Sequence, residues 1–268
     1  MLAFLPSSEA TVFFANTSAL HRAGVLNMFA VSKTSIEPDY QDFVRRTQFD
    51  YTRDIRAIAG AVDTNRILLL IRGRFDWNRL RAYALTHGGI CKDPLCNLPA
   101  ANPGRWISFL PIQPDVMALA VASDGAAVTA VSTNQNRTLE RVPPYPVWVR
   151  VAPAVFRKPV ALPFAVRIFA ISLQPADRVL LSLDLSGTSA WPFVLRLDAQ
   201  CPNFAAAETM KAQLELETRL LRMELARERR QPRPDDLTGL LVAGSFAVSK
   251  KRVIGDWPIR KELLKTLE

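Results

Sequence analysis

The stretch RILLLIRGRFDWNRLRAYALT, residues 66–86, decides the fold. Its first half is a strand-length apolar block, Ile67 to Ile71, held between Arg66 and Arg72. Runs of this length and composition pair into sheets rather than cross membranes. Asp76 follows as a natural helix N-cap, and Leu80, Ala84 and Leu85 then recur at helical spacing through Thr86. A strand therefore hands over directly to a helix. Upstream, Ile55 to Val62 alternates as a strand does, and Asp63-Thr64-Asn65 supplies a hairpin turn into Arg66. Downstream, Ile107 to Ile112 and Val116 to Ala122 read as a second strand pair.

The same order returns later in the chain. Val179 to Leu185 and Phe193 to Asp198 read as strands, followed by the longest helix, about Phe204 to Arg229. Ser245 to Val248 and Arg252 to Gly255 then lead into a last helix. The openings of the two halves also correspond. Thr11 to Ala15 is a strand followed by a helix over Ser18 to Phe29, and Val147 to Val151 is a strand followed by a helical turn at Pro153 to Phe156. A further helix is expected from Asp39 to Thr47, with Tyr40, Phe43 and Val44 as its buried stripe, and a further strand near 166–173. The fold expected is α+β: two similar lobes, each a mainly antiparallel sheet with helices on one face. The polar run Thr133 to Arg141 and the stiff Pro143-Pro144-Tyr145-Pro146 connector place the boundary, giving lobes 1–145 and 146–268.

With 268 residues and 49% apolar content, the chain can bury a full core. Nineteen prolines against eleven glycines, scattered singly, favour stiff connections over flexible linkers. The net charge of +9 divides as +3 over residues 1–145 (15 basic, 12 acidic) and +6 over 146–268 (19 basic, 13 acidic). Such a tilt attracts polyanions weakly and names no partner. No apolar run reaches the length of a membrane-spanning helix. Met1 to Leu5 is cut short by Pro6 and Glu9, so a cytoplasmic location is the default expectation, changing to cell envelope or periplasm if a leader precedes Met1.

Three sets of residues are candidate sites. Arg72, Arg74, Arg79 and Arg81 with Trp77 have the composition of a surface that grips phosphate or stacks on a base, although solvated charge explains them as well. On the long helix, Leu221 and Leu225 with Arg227, Arg229 and Arg230 mark a segment suited to a protein partner or to self-association. His87, Cys91 and Cys96 carry zinc-type donors, with Cys201 or water needed as the fourth; alternatively Cys91 and Cys96 pair, or are small hydrophobes, with His87 capping a helix end.

Catalytic motifs are missing from the sequence. It contains no Gly-x-Gly-x-x-Gly, no phosphate-cradling Gly-x-x-x-x-Gly-Lys-Ser/Thr, no His-Glu-x-x-His, no Cys-x-x-Cys and no Gly-x-Ser-x-Gly. No catalytic residue and no cofactor are expected. The reading that follows is a non-enzymatic binding or scaffold protein engaging a macromolecular partner. The alternative is an anion or nucleic-acid binder using the arginine clusters, including Arg227 to Arg233, and the third is a thiol- or zinc-dependent enzyme.

The phrases Phe43-Val44-Arg45-Arg46-Thr47-Gln48-Phe49-Asp50-Tyr51-Thr52-Arg53-Asp54 and Gly73-Arg74-Phe75-Asp76 resemble a poorly characterised group of bacterial proteins, many exported or membrane-anchored. Members open with a Leu-Pro element, a strand and a short helix, as Phe4-Leu5-Pro6 and Val12 to Leu20 do here. The group usually carries glycine where this chain has Gln48. The resemblance implies a duplicated α+β module of the cell envelope and transfers no catalytic residue.

Overall fold

Strand Ile67–Gly73 and helix Trp77–Thr86 form where the sequence places them, in a computed structural model. It describes residues 1–5, 10–25, 38–134, 142–157, 164–186, 193–229, 233, 236–260 and 263. By internal contacts the chain divides into two units, Met1–Pro144 and Tyr145–Glu268. The architecture is α+β, and the strand pairs within each unit run antiparallel.

The first unit contains β1 (Thr11–Ala15), α1 (Thr17–Arg22), α2 (Pro38–Thr47), α3 (Tyr51–Asp54), β2 (Ile55–Val62), β3 (Ile67–Gly73), α4 (Trp77–Thr86), β4 (Ile90–Lys92), β5 (Leu95–Pro99), β6 (Trp106–Gln113) and β7 (Val116–Ala122). Its strands lie in the order β1-β2-β3-β7-β6-β5-β4. Directly opposed residues of an antiparallel pair share a face, so the registers show which side chains meet. Ile71 opposes Met117, Leu69 opposes Leu119, and Leu119 opposes Phe109, which opposes Cys96. This face packs on Leu80 and Ala84 of α4.

The opposite face is covered as well. There Leu68 opposes Ala120, Leu70 opposes Ala118, and Ser108 also opposes Ala120. The backbone N–H of Val128 donates to Ser108 Oγ at 3.3 Å, which seats the 3-10 helix Ala127–Asn134 on this side. Val128 and Val131 are fully buried. The sheet of the first unit thus lacks the single wet face that the sequence reading implied.

Capping residues fix the helices. Asn16, Asp50 and Asp76 each accept a hydrogen bond from the backbone N–H two or three residues on, opening α1, α3 and α4. Helix α1 is shorter than expected, ending at Arg22 before Gly24 turns left-handed at φ 72°. Residues 26–29 of the expected helix lie outside the described residues. Gln48 holds φ 55° immediately after α2, a conformation that favours glycine. Gly73 has a different reason. A Cβ there would lie 2.6 Å from the carbonyl oxygen of Asp54, so the strand end approaches α3 only without a side chain.

The second unit contains β8 (Val147–Val151), α5 (Pro153–Arg157), α6 (Phe164–Ser172), β9 (Arg178–Asp184), β10 (Phe193–Gln200), α7 (Phe204–Arg227), α8 (Leu237–Val242), β11 (Ser245–Ser249) and β12 (Arg252–Ile259). Its strand order is β11-β12-β10-β9-β8. Ala207, Met210 and Leu214 of α7 are fully buried with Leu197, Val179 and Val253 of the strands, and Phe169, Leu241 and Trp257 join the same core. The strand expected near 166–173 is instead helix α6. The apolar run Ile168 to Ile171 is too short to show a period, and here Phe169 and Ala170 of α6, with Leu173 just after it, are buried in the core. Strand β12 runs to Ile259, and the expected last helix falls almost wholly outside the described residues.

Candidate functional site: an apolar cavity in the first unit

Helix α2 creates the site. Its stripe Tyr40, Phe43 and Val44 was expected to be buried, yet all three stay half-exposed, and Thr47 is the helix's single buried residue. The helix packs on α4, with Phe43 meeting the Tyr83 ring edge-on at 5.0 Å. Between α2, α4 and the sheet lies a cavity of about 830 Å³. Its floor is Ile71, Ile107, Phe109, Met117 and Leu119, residues brought together from β3, β6 and β7 by the register. Phe43, Phe49, Tyr51 and Tyr83 form aromatic walls.

The walls are held in place by hydrogen bonds and ring contacts. Tyr40 donates its hydroxyl to Asp50 Oδ1 at 3.0 Å, and the Tyr40 and Tyr51 rings lie 4.9 Å apart. Phe49 stacks on Phe75 at 5.3 Å and meets Phe43 edge-on. Burial, and then the bond to Asp50, push the Tyr40 hydroxyl well above the usual tyrosine range, so it stays a donor. Burial would raise the Asp50 carboxyl; hydrogen bonds from Thr52 and Tyr40 and the nearby Arg53 outweigh it and hold the group below its ordinary value.

Polar groups sit at the margin. Asp39, Asp42 and His87 line the cavity together with the apolar residues. Asp42 is paired with Arg45 and with Arg46, the latter at 2.6 Å, and the hydrogen bond from Arg45 lowers its carboxyl. Burial raises the Tyr83 phenol, and Asp42 and Asp39 add to the effect. His87 Nδ1 lies 2.8 Å from the Tyr83 carbonyl oxygen, and its ring stacks on Tyr83 at 3.9 Å. Sites of this size, mostly apolar with a few polar groups, suit small hydrophobic ligands.

The residues singled out in the sequence are placed differently. Arg72 lies 3.5 Å from Asp115, Arg74 2.7 Å from Asp54, Arg79 3.1 Å from Asp76 and Arg81 3.6 Å from Asp93. Each of these arginines thus meets a carboxylate, and Trp77 donates Nε1–H to the Pro114 carbonyl at 3.2 Å. Cys91 and Cys96 face each other across the β4–β5 hairpin and are joined in a disulfide. Neither keeps a thiolate for zinc, and no cluster of His, Cys, Asp or Glu suited to a metal occurs among the described residues. Cys201 is buried in the core of the second unit, 3.8 Å from the Met210 sulfur.

On α7, Leu225 is buried and Leu221 packs against the core, so both face inward. The exposed apolar stripe is instead Leu216, Leu220 and Met223. Arg227 pairs weakly with Glu224 at 3.8 Å, Arg229 is exposed at φ 54°, and Arg230 lies outside the described residues. Glu215 pairs with Lys211 at 3.1 Å.

No protein-family model matches the sequence, and no curated protein does. The fold is similar to that of TP0453 of Treponema pallidum. Crystal form I gives a TM-score of 0.57 and covers 99% of this chain and 95% of that one; crystal form III gives 0.56, covering 99% and 96%. Identity is 12% in both, so the likeness concerns architecture alone. No described helix is long and apolar enough to cross a membrane.

Proposed function

We propose that this is a non-enzymatic binding protein whose first unit takes up an apolar small molecule of acyl-chain or aromatic character. The observation that carries the reading is the cavity beneath the half-exposed stripe of α2. An apolar surface left unburied inside a folded unit forgoes roughly 25 cal/mol for each Å² not covered, and a ligand recovers it. A neutral naphthylamine probe should bind saturably and brighten on titration into the full chain. Ile107→Trp, which fills the floor, should weaken that binding at least tenfold while thermal unfolding stays cooperative. Absence of saturable binding, or a variant that binds like the parent, would sink the reading.

A macromolecular partner has its own support in the exposed stripe Leu216, Leu220 and Met223, which recurs at helical spacing along α7. Sedimentation equilibrium tests self-association through it. Leu220→Lys should lower the apparent mass at high concentration, and an unchanged monomer in both proteins would refute it.

The finer architectural reading is an α+β module used twice. Strand orders β1-β2-β3-β7-β6 and β8-β9-β10-β12-β11 match position by position, and a short helix follows the first strand in each. Failure of those five-strand sets to superpose would remove it. An envelope location fits the Cys91–Cys96 disulfide, since disulfides persist in oxidising compartments. Protein unfolded directly from its native cells into excess alkylating reagent should then carry one alkyl group, on Cys201; three would place it in a reducing compartment.

A further inference from the structure

A second pocket of the first unit, about 390 Å³, has the opposite chemistry to the apolar cavity. Its lining includes Arg22, Arg53, Arg56 and Arg74, with His21 and the Ser18 hydroxyl beside them. Two carboxylates serve these cations. Asp54, itself buried, pairs with Arg74 at 2.7 Å, and Asp50 lies 3.6 Å from Arg53. Arg22 and Arg56 have no carboxylate partner among the described residues. Four guanidinium groups against two carboxylates leave an excess of two positive charges around one concavity.

Gathering like charges costs free energy unless an anion sits among them, and guanidinium forks match oxyanions with paired N–H donors. We infer that this pocket, built from α1, α3 and the ends of β2 and β3, binds a compact phosphorylated small molecule. Its Arg22 and Arg56 supply the unneutralised charge, and Ser18 supplies a hydroxyl that has no hydrogen-bond partner among the described residues. The concave shape and small volume favour a compact anion over a nucleic-acid strand. A strand needs a continuous cationic track, and the nearby Arg72, Arg79 and Arg81 each meet an aspartate.

Isothermal titration of the full chain with inorganic pyrophosphate at low ionic strength tests the site. Pyrophosphate should bind with one-to-one stoichiometry, and the affinity should fall at least fivefold on raising the salt. Arg22→Gln with Arg56→Gln should weaken binding at least tenfold, whereas Arg79→Gln, outside the pocket, should leave it within twofold. Both altered side chains are exposed and have no ion-pair partner among the described residues, so the melting temperature should hold. A neutral apolar probe should bind the double variant as it binds the parent, which separates this site from the apolar cavity. Absence of pyrophosphate binding, equal binding by the double variant, or exclusive binding of a single-stranded oligonucleotide would overturn the assignment.

Discussion

The first unit orders seven strands and the second five, and the two units use their helices differently. In the second, α7 runs for 24 residues and drives Ala207, Met210 and Leu214 to full burial against the sheet. In the first, α4 has 10 residues and buries Leu80 and Ala84, while α2 lies on α4 with its apolar stripe half-open over the cavity. Helix length and placement decide whether a sheet face becomes solid core or borders a cavity.

Mutations can break that contrast. Leu214→Ala, in close-packed surroundings, should destabilise the protein by about 3–4 kcal/mol in urea unfolding, because the surroundings cannot collapse onto the void. Phe43→Ala at the cavity wall should cost about 1–2 kcal/mol, since the ring already borders open space. Equal losses at the two positions would mean that the first unit is as tightly packed as the second. Apolar probe binding should nevertheless fall with Phe43→Ala and stay unchanged with Leu214→Ala.

The smallest expected effect concerns pH. The Asp50 carboxyl is held below its ordinary value in the folded chain, so its stabilisation is complete above the unfolded carboxylate range and is lost as pH falls through the folded value. Asp50→Asn keeps an oxygen to cap α3 and removes only the charge. It should cost about 0.5–1 kcal/mol at neutral pH and flatten the acid side of the stability curve. An acid limb unchanged by the substitution would show that Asp50 does not tie α2 to α3 through its charge.

Much of the frame was legible in the sequence because it is local. Strand β3, helix α4 and the β6–β7 pair announce themselves by period and by capping residues such as Asp76. Helix α6 departs from the strand expected there because Ile168 to Ile171 is a short apolar run next to Arg167, and four apolar residues fit a buried strand or a buried helix equally. The β4–β5 hairpin went unseen because three residues of Ile90–Lys92 are too few to show a period.

The sites were less legible. The stripe of α2 was visible, but whether a stripe meets a core or a void depends on Met117 and Ile107, far along the chain. The arginines of residues 72–81 stood out by density, although Asp93 and Asp115 answer two of them from other elements. Arg22 and Arg56 carry no joint signal in the sequence because they stand far apart along the chain. Only the meeting of α1 with β2 makes them neighbours, and no periodicity records it.

The outermost strand of the first unit, β4, is three residues long and is fastened to β5 by Cys91–Cys96. Open sheet margins recruit other chains through unpaired backbone groups, and short margins recruit poorly. This brief hairpin gives the rim little to offer a neighbouring strand, so at this border the protein is guarded against polymerising with itself.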